Sequence, residues 1–492
     1  MVNEKNIGIT ASKDNNFSEW YTQVCSPQGA GLADVRYGVQ GFIVHLPWSF
    51  KILRRIYEYL EEELEADGHE PFLFPTVIKK ENLEKEKEHA GFAPEVFWVN
   101  QAGSETLAEP VALRPTGETQ IYPMYSLWIR SHAQLPYKGY QSRITVFRNE
   151  MTTRPFLRGR EFMFFETHNV YACREDALKQ VKTDGEIMKR VYWDKLKIPH
   201  FFFIRPQWDK FLGADNTFVA DTLMPDGKRT QLSSTHDLGQ NFSKAYDVKF
   251  VDKDEKEKFA FQTCFGPGIW RIMASLISIH GDDKGLILPF DVAPYQVVIV
   301  PVLFSDESEN ARILEKCKEY KALLSSHFRV FLDDSDNTPG WKFNEWEMKG
   351  VPIRVEVGPK DLAKGSVAIT RRTSKRVFVP ADDVVSAIKS EATKLDEDVE
   401  VKAKAYFEGH TRSTDEYEEL KSLLNTHRGF VSVPFCSIDF DGEKCADKIK
   451  EDTAGNVCGI PWSESERLSS DGKNCVVCGK SAKHIVFVAK SY

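Results

Sequence analysis

Two neighbouring segments of the chain combine arginine, carboxylates, histidine and aromatic residues at the spacing of β-strands. They read RITVFRNEM (residues 143–151) and REFMFFETHNVY (residues 160–171), and the segment TTRPFLRG between them has the proline and glycine of a turn. Because side chains alternate between the faces of a strand, Arg148 and Glu150 are predicted to share one face. Four residues are predicted to share one face of the second strand: Phe162, Phe164, Glu166 and His168. Such a face suits a polar ligand with a flat ring better than a hydrophobic core.

An ion-pair network on a half-exposed sheet would use the same residues, and the two strands alone do not separate these interpretations. Two further segments favour a ligand site. GPGIWR precedes an apolar helix predicted over residues 272–279, so Arg271 is expected at a helix N-terminus, where anions are favoured. RPTGE supplies Thr116 and Glu118, although the same residues also suit a turn and a helix cap.

The length of the chain and the changes in composition along it predict three domains, since one hydrophobic core does not extend over 492 residues. Residues 1–290 contain most of the candidate chemistry. YQVVIVPVLF then predicts a buried strand, and a helix over 309–327 with strands over 329–332, 353–357 and 367–370 predicts an α/β domain at 291–395. Residues 396–492 form a smaller domain that is rich in cysteine.

Composition indicates a folded protein, with 41% hydrophobic and 28% charged residues. The formal net charge of -8 repels polyanions, so any contact with nucleic acid must come from local basic surface. MVNEKNIGIT lacks the apolar core of a signal peptide, and YQVVIVPVLF is too short to span a membrane. We therefore expect a cytoplasmic protein with no membrane segment.

Cysteines cluster near the end of the sequence. Cys475 and Cys478 form a CxxC pair, while Cys436 and Cys445 are spaced more widely. Four thiolates in a reducing compartment favour structural Zn²⁺ over disulfides. Cys458 is left over and is expected to be a buried thiol.

Taken in order, these segments resemble the three signature motifs of class II aminoacyl-tRNA synthetases. Residues 41–75, from GFIVHLPW to FLFP, resemble the dimer-interface element; FRNE with the RGREF return resembles the second motif, and GPGIWR with its helix the third. Five further features resemble the prolyl-tRNA synthetases of the archaeal and eukaryotic kind in particular. They are EKEKEHAGFAPEVFWV, LRPTGET, FLRGREFMFFETH, STHDLGQNFSKAY and the cysteine arrangement.

The resemblance covers nearly the whole chain and implies a fold. We expect an α+β catalytic domain with an antiparallel sheet flanked by helices, an α/β anticodon-binding domain and a small α/β zinc-binding C-terminal domain. The same four cysteines are the implied zinc ligands. A homodimer is implied as well.

The implied activity is ATP-dependent activation of L-proline to prolyl-adenylate and its transfer to the 3′ end of tRNA(Pro), with Mg²⁺ on the phosphates. Arg148 would bridge the α-phosphate and the proline carboxylate, while Arg158 and Arg271 would hold the outer phosphates. The implied ATP-binding residues are Arg148, Glu150, Arg158, Phe162, Gln231, Ser234 and Arg271. The implied proline-binding residues are Thr116, Glu118, Arg148, Phe164, Glu166, His168 and His236.

The second domain carries the segment TPGWKFNEWEMKGVPIRVEVGPKD, which resembles the anticodon-binding signature of this family. The residues implied to read the anticodon are Phe343, Glu347, Arg354 and Lys360. The charge run RRTSKR, residues 371–376, could contact phosphate, but a solvated hairpin is the preferred interpretation.

One feature departs from the family pattern, and a second restricts the activities expected of the chain. Bulky residues precede Arg271, which leaves the contacts of Cys264, Ile269 and Trp270 open. The stretch from Arg160 to Gln231 is too short for the large editing insertion of bacterial relatives, so no editing of alanyl-tRNA is expected.

Three alternatives remain at this point. A sister enzyme for threonine, histidine or glycine is possible, although residues 143–171 lack the zinc-binding cysteine of the threonine enzymes. An inactive paralogue would be expected to lose phosphate-binding arginines, and Arg148, Arg158 and Arg271 are all present. A zinc-containing nucleic-acid binder would explain only the C-terminal fifth.

Overall fold

The computed structural model describes residues 8–90, 95–304 and 306–492. The signature EKEKEHAGFAPEVFWV thus lies partly outside the described residues, at 91–94, as do the first seven residues of the chain. The helices are α1 (Phe17–Cys25), α2 (Pro47–Ala66), α3 (Lys80–Ala90), α4 (Glu118–Trp128), α5 (Arg174–Met188), α6 (Asn241–Ala245), α7 (Ile269–His280), α8 (Glu307–Ser325), α9 (Pro339–Met348), α10 (Pro359–Ala363), α11 (Val384–Gly409), α12 (Tyr417–Ser422) and α13 (Glu443–Thr453).

The strands up to the end of the catalytic region are β1 (Ala33–Asp34), β2 (Val44–His45), β3 (Glu70–Pro71), β4 (Val77–Lys79), β5 (Trp98–Ala102), β6 (Glu105–Leu113), β7 (Tyr137–Phe147), β8 (Glu161–Tyr171), β9 (Phe201–Ile204), β10 (Asn216–Leu223), β11 (Arg229–Gly239), β12 (Lys249–Val251), β13 (Glu257–Phe259) and β14 (Phe261–Pro267). The later strands are β15 (Val297–Pro301), β16 (Val330–Leu332), β17 (Ile353–Val357), β18 (Ser366–Arg371), β19 (Arg376–Pro380), β20 (Thr411–Ser413), β21 (Phe430–Phe435), β22 (Gly455–Pro461) and β23 (His484–Lys490).

One large sheet organises the region that is expected to be catalytic, with the strand order β20-β21-β23-β22-β9-β10-β11-β14-β8-β7-β3. Its central strands β10, β11, β14, β8 and β7 pair antiparallel. Helices α2, α5 and α7 cover one face, where Phe165 of β8 packs with Ile56, Ile187 and Met273 in the largest core. By alternation the neighbouring residues of β8 point to the opposite, open face.

The covering helices form for reasons visible in their sequences. Helix α2 begins with Pro47, whose missing N–H is not needed at a first helical position, and buries a stripe that includes Ile52, Ile56 and Leu60. Helix α7 is apolar on nearly every side because it runs through the core between α2 and the sheet. None of the helices in the described part of the chain combines the length and apolar composition that crossing a bilayer requires.

The second region is an α/β domain with the strand order β16-β15-β17-β18-β19. Strand β15 pairs parallel with β16 and β17, and β17, β18 and β19 pair antiparallel. The strands predicted over 329–332, 353–357 and 367–370 and the helix predicted over 309–327 are confirmed to within two residues, whereas the strand predicted over YQVVIVPVLF ends three residues early, at Pro301. The predicted solvated hairpin RRTSKR is wrong in one respect. Arg372 is only 3% exposed, and its Nη1 donates to Oδ2 of Asp282, beyond the end of α7, at 3.0 Å.

The third region is continuous with the catalytic sheet. Strand β22 pairs with β9, so the C-terminal strands extend the large sheet instead of forming one of their own. The predicted boundary between residues 395 and 396 lies inside α11, which links the second region to the third as one helix.

The strand predicted over residues 143–151 is wrong at both ends, since β7 runs from Tyr137 to Phe147. Arg143 has a φ of 54°, and the pairing with β8 shifts between Gln141 and Ile144. This bulge bends the strand, which ends before Arg148. Arg148 and Glu150 therefore lie in the turn that follows, where strand alternation does not set the direction of their side chains.

Candidate active site

A cleft of about 950 Å³ opens on the face of the sheet opposite α2, α5 and α7. Every residue that the sequence predicted for ATP or proline binding lies in its lining. These are Thr116, Glu118, Arg148, Glu150, Arg158, Phe162, Phe164, Glu166, His168, Gln231, Ser234, His236 and Arg271. They come from the turn between β7 and β8, from β8, from β11, from α4 and its preceding turn, and from α7, so tertiary structure brings together segments that are far apart in sequence.

Three arginines meet at one end of the cleft, two from the turn between β7 and β8 and one from α7. Nε of Arg148 and Nη1 of Arg158 lie 4.0 and 3.8 Å from the carboxylate oxygens of Glu150. Arg271 lies in the first turn of α7, as predicted. Burial, and then the positive charges of Arg158 and Arg148, lower the pKa of Arg271. The guanidinium groups thus outnumber the nearby carboxylate and form a site for an anion.

Two carboxylates and a histidine occupy the other end. Glu166 accepts from the backbone N–H of Gly117 at 3.1 Å, and its Oε2 lies 3.1 Å from Nε2 of His168. Glu118 accepts a hydrogen bond from the hydroxyl of Thr116. With His168 protonated, this cluster still carries one net negative charge, which suits a small cation. A Cβ at position 117 would lie 2.4 Å from Oε1 of Glu166, so a larger residue there would displace this carboxylate.

Two histidines of the cleft, His168 on β8 and His236 on β11, have pKa values shifted in opposite directions. Burial lowers the pKa of His168, but the hydrogen bond and charge of Glu166 outweigh burial and raise that pKa above its ordinary value. Burial, and then the charge of His168, lower the pKa of His236 to about 3. His236 is therefore neutral, and its Nδ1 lies 2.9 Å from the hydroxyl of Thr217.

The cleft also contains residues that sequence reasoning left open or missed. The centre of the Trp270 ring lies 6.3 Å from that of Phe162, with the two rings tilted by 53°, and Sγ of Cys264 lies 3.7 Å from Oε1 of Glu118. Residues 210–212 line the mouth, and the Phe211 ring lies 4.7 Å from that of His236. The loop that carries Phe211 has no periodicity or motif by which the sequence could have identified it.

Comparison with known proteins identifies the family. A model of the tRNA synthetase class II core domain (G, H, P, S and T) matches residues 97–280, one of the anticodon binding domain matches residues 296–391, and one of the prolyl-tRNA synthetase C-terminal domain matches residues 417–492. A proline-tRNA ligase of Thermofilum pendens is 51% identical over 489 residues, 99% of both chains. This chain belongs to the prolyl-tRNA synthetase family.

Other members of the family support the same assignment. A proline-tRNA ligase of Pyrococcus horikoshii is 41% identical over 480 residues, which are 97% of this chain and 98% of its own. The structure of Giardia lamblia prolyl-tRNA synthetase in complex with prolyl-adenylate matches with a TM-score of 0.93 at 33% identity, over 98% of this synthetase and 100% of that chain. The predicted family and fold class are confirmed.

The same findings exclude two of the three alternatives. The class II core model covers enzymes for five amino acids and does not separate them, whereas the C-terminal model and the full-length relatives are prolyl. The match of core and anticodon-binding models also excludes a simple zinc-containing nucleic-acid binder.

The residues predicted to read the anticodon lie in the second region of this synthetase. Glu347 and Arg354 line a groove of about 570 Å³ beside Asp282 and Lys284 of the catalytic region. The Arg354 guanidinium lies 4.2 Å from the centre of the Phe343 ring. Lys360 is the second residue of α10, is exposed, and lies outside the lining of that groove.

The four clustered cysteines come together in the third region. The sulfur atoms of Cys436, Cys445, Cys475 and Cys478 all lie within 4.8 Å of one another. Cys458 lies apart from them in β22, fully buried as predicted, and burial raises its pKa to about 11.

Tyr492 reaches the arginine end of the cleft. Nη2 of Arg158 donates to the backbone oxygen of Tyr492 at 2.9 Å, and the Tyr492 hydroxyl donates to Asp226 at 2.8 Å. The C-terminal region therefore contacts a residue of the cleft directly.

Proposed function

We propose that this synthetase activates L-proline with ATP, forming prolyl-adenylate and pyrophosphate, and transfers the prolyl group to the 3′ end of tRNA(Pro). One observation carries the proposal: a single cleft has a cluster of arginines at one end and a net negative cluster at the other. In the first step a carboxylate attacks a phosphate, and these two anions repel each other. Arginine forks that contact both remove this repulsion and fix the geometry of attack.

We assign the residues accordingly. Arg148 bridges the α-phosphate and the proline carboxylate, and Arg158 and Arg271 hold the outer phosphates. Glu150 accepts from the adenine amino group and Phe162 stacks on the base, with Gln231 and Ser234 beside the nucleotide. Mg²⁺ enters with ATP and, when bound, neutralises phosphate charge.

At the negative end, Thr116 and Glu118 meet the cationic imino nitrogen of proline. The remaining walls of the amino-acid pocket are Phe164, Glu166, His168 and His236. A neutral His236 keeps a second positive charge away from the proline cation, which supports this assignment.

The anticodon and zinc assignments rest on the other two regions. Phe343, Glu347, Arg354 and Lys360 offer the stacking, acceptor and cationic groups that single-stranded bases require. Zn²⁺ fits the cysteine cluster, because sulfurs about 2.3 Å from a tetrahedral zinc lie about 3.8 Å apart. The observed distance between Sγ of Cys436 and Sγ of Cys445 is 3.7 Å.

We also propose a cytoplasmic homodimer with domains at 1–290, 291–395 and 396–492. The segment that resembles the dimer-interface motif leaves Leu73 83% exposed, and Val77 and Leu127 are exposed near it. Exposed apolar side chains of this kind mark protein interfaces. A cytoplasmic location is consistent with four thiols kept reduced for a metal.

The test is exchange of radiolabel between pyrophosphate and ATP, measured with each amino acid in turn. Proline alone should support rapid exchange, and tRNA(Pro) should then be charged at its 3′ end. Exchange driven by threonine, histidine or glycine would reassign the amino acid. A folded protein with no exchange would make it an inactive paralogue.

A further inference from the structure

Arg205 lies behind the cleft wall and joins three parts of the molecule. It follows β9, and its side chain is 2% exposed. Its Nη1 donates to the backbone oxygen of Cys458 in the C-terminal region at 2.7 Å. Its Nη2 donates to Oδ1 of Asp221 at 3.1 Å and to Oε1 of Gln231 at 3.3 Å. Gln231 is one of the residues that line the cleft.

A β-bulge turns Gln231 towards Arg205. In the pairing of β10 with β11, Ala220 is opposite Ser233 and Asp221 is opposite Gln231, so Leu232 has no partner across the ladder. The oxygen of Leu232 instead accepts from the backbone N–H of Gly268, just before α7, at 2.7 Å. Bulges of this kind re-aim side chains next to functional sites.

A second irregularity brings the C-terminal region close enough to contact Arg205. Strand β22 shifts register between Val457 and Gly459, which frees the Cys458 carbonyl from the ladder. Gly459 has a φ of 127°, and a Cβ there would lie 1.9 Å from the oxygen of Ile204. Only glycine permits this close approach of β22 to Ile204, the residue that precedes Arg205.

Charge holds Arg205 in place. Asp221 is fully buried and lies within 3.0 Å of both Arg205 and Arg229. Removing either guanidinium from a buried carboxylate is unfavourable, so Arg205 stays where its remaining N–H groups point at Gln231. A guanidinium has donors and no acceptor, which requires that the oxygen of the Gln231 amide face Arg205. The NH₂ group of Gln231 then points into the cleft.

We propose that Arg205 is a positioning residue for the nucleotide, which fixes the Gln231 amide with its donors towards an acceptor on ATP. Through the Cys458 carbonyl, the C-terminal region becomes part of the nucleotide site. This inference rests on the proposed function and adds a residue outside the cleft to it.

The first test replaces Arg205 by lysine, whose ammonium keeps the charge beside Asp221 but does not reach all three partners. In proline-dependent exchange, R205K should raise the KM for ATP about tenfold and leave the KM for proline within about twofold. R372K is the matched control, since Arg372 is equally buried and also joins two regions through an aspartate and a backbone oxygen. It should leave both KM values unchanged. Equal KM values for ATP in R205K and wild type would overturn the proposal.

The second test does not depend on how R205K folds. Q231E keeps an acceptor for Arg205 but replaces the donor that faces the cleft, so its KM for ATP should rise about tenfold or more. If the amide pointed the other way, glutamate would preserve the acceptor in the cleft and the KM for ATP would not change, which would overturn the proposal.

A double mutant separates positioning from general destabilisation. In a Q231A background, R205K should change the KM for ATP by less than about twofold, because the residue through which Arg205 acts is gone. An undiminished effect of R205K in that background would also overturn the proposal. Wild-type exchange is measured first, so its absence would refute the proposed function and not the role of Arg205.

Discussion

Nε2 of His168 lies 3.1 Å from Oε2 of Glu166, and both side chains are almost completely buried. Burial lowers the pKa of His168, but the hydrogen bond and charge of Glu166 raise it overall. A histidine whose pKa is raised in the folded state contributes stability that is complete below its unfolded pKa. That contribution is lost as the pH rises through the folded pKa.

The first prediction follows from this sign. The free energy of unfolding of the wild type, minus that of H168Q, should be larger at about pH 6 than at about pH 9. Urea unfolding at several pH values measures it. E166Q should remove the dependence, because it removes the carboxylate that raises the pKa of His168. A difference that grows towards high pH would contradict the assignment.

His236 should behave in the opposite way. Burial, and then the charge of His168, lower its pKa to about 3, so the folded state keeps it neutral while the unfolded chain binds a proton below about pH 6.5. Stability should therefore fall on acidification, by up to about 1.4 kcal/mol per pH unit from this residue. H236Q should have a shallower acid limb in urea unfolding. An unchanged limb would show that His236 is charged in the fold.

Arg271 should act mainly on the rate of activation. R271A should lower kcat for proline-dependent exchange about 10²- to 10³-fold, because a preorganised donor to developing phosphate charge is lost. R271K should lose less, since it keeps the charge but not the planar fork. R190A is the control, because Arg190 is 44% exposed and pairs with Glu63 on the surface. Full activity in R271A would remove this residue from the site.

The cysteine cluster should hold one metal ion per chain. Elemental analysis should find zinc in the wild type, and C478S should lose most of it and unfold at a lower temperature. C173S should retain the zinc, because Cys173 lies outside the cluster. Wild-type protein purified without zinc and with unchanged thermal stability would argue against a structural metal.

Editing of mischarged tRNA is not expected. Residues 160–231 form the strands β8, β9 and β10, the start of β11, the helix α5 and the segments that join them, which leaves no room for an inserted editing domain. A pocket for proline discriminates weakly against the smaller alanine, so some alanyl-tRNA(Pro) should form and persist. Deacylation is measured with purified alanyl-tRNA(Pro). Rapid clearance by the protein alone would show an editing site elsewhere in the chain.

Local patterns predicted the parts of this synthetase that depend on local geometry. The alternation of β8 placed Phe162, Phe164, Glu166 and His168 on one face, and the glycines before α7 placed Arg271 at a helix start. The CxxC pair predicted the cysteine cluster, and the order of the family motifs predicted the fold class. Each of these features depends on residues close in sequence, or on a motif whose members recur in a fixed order.

Contacts between distant segments were decided by the tertiary structure alone. The bulge in β7 moved Arg148 and Glu150 out of the strand, and the burial of Arg372 against Asp282 turned an apparently solvated charge run into a contact between regions. Arg205 and Cys458 are 253 residues apart, and no local periodicity predicts their contact. Local sequence was enough to predict which side chains share the face of β8 or the start of α7, because those relations are set by backbone geometry. Which faces and ends then meet depends on how the whole chain packs, so the C-terminal extension of the sheet and its link to Gln231 appear only in three dimensions.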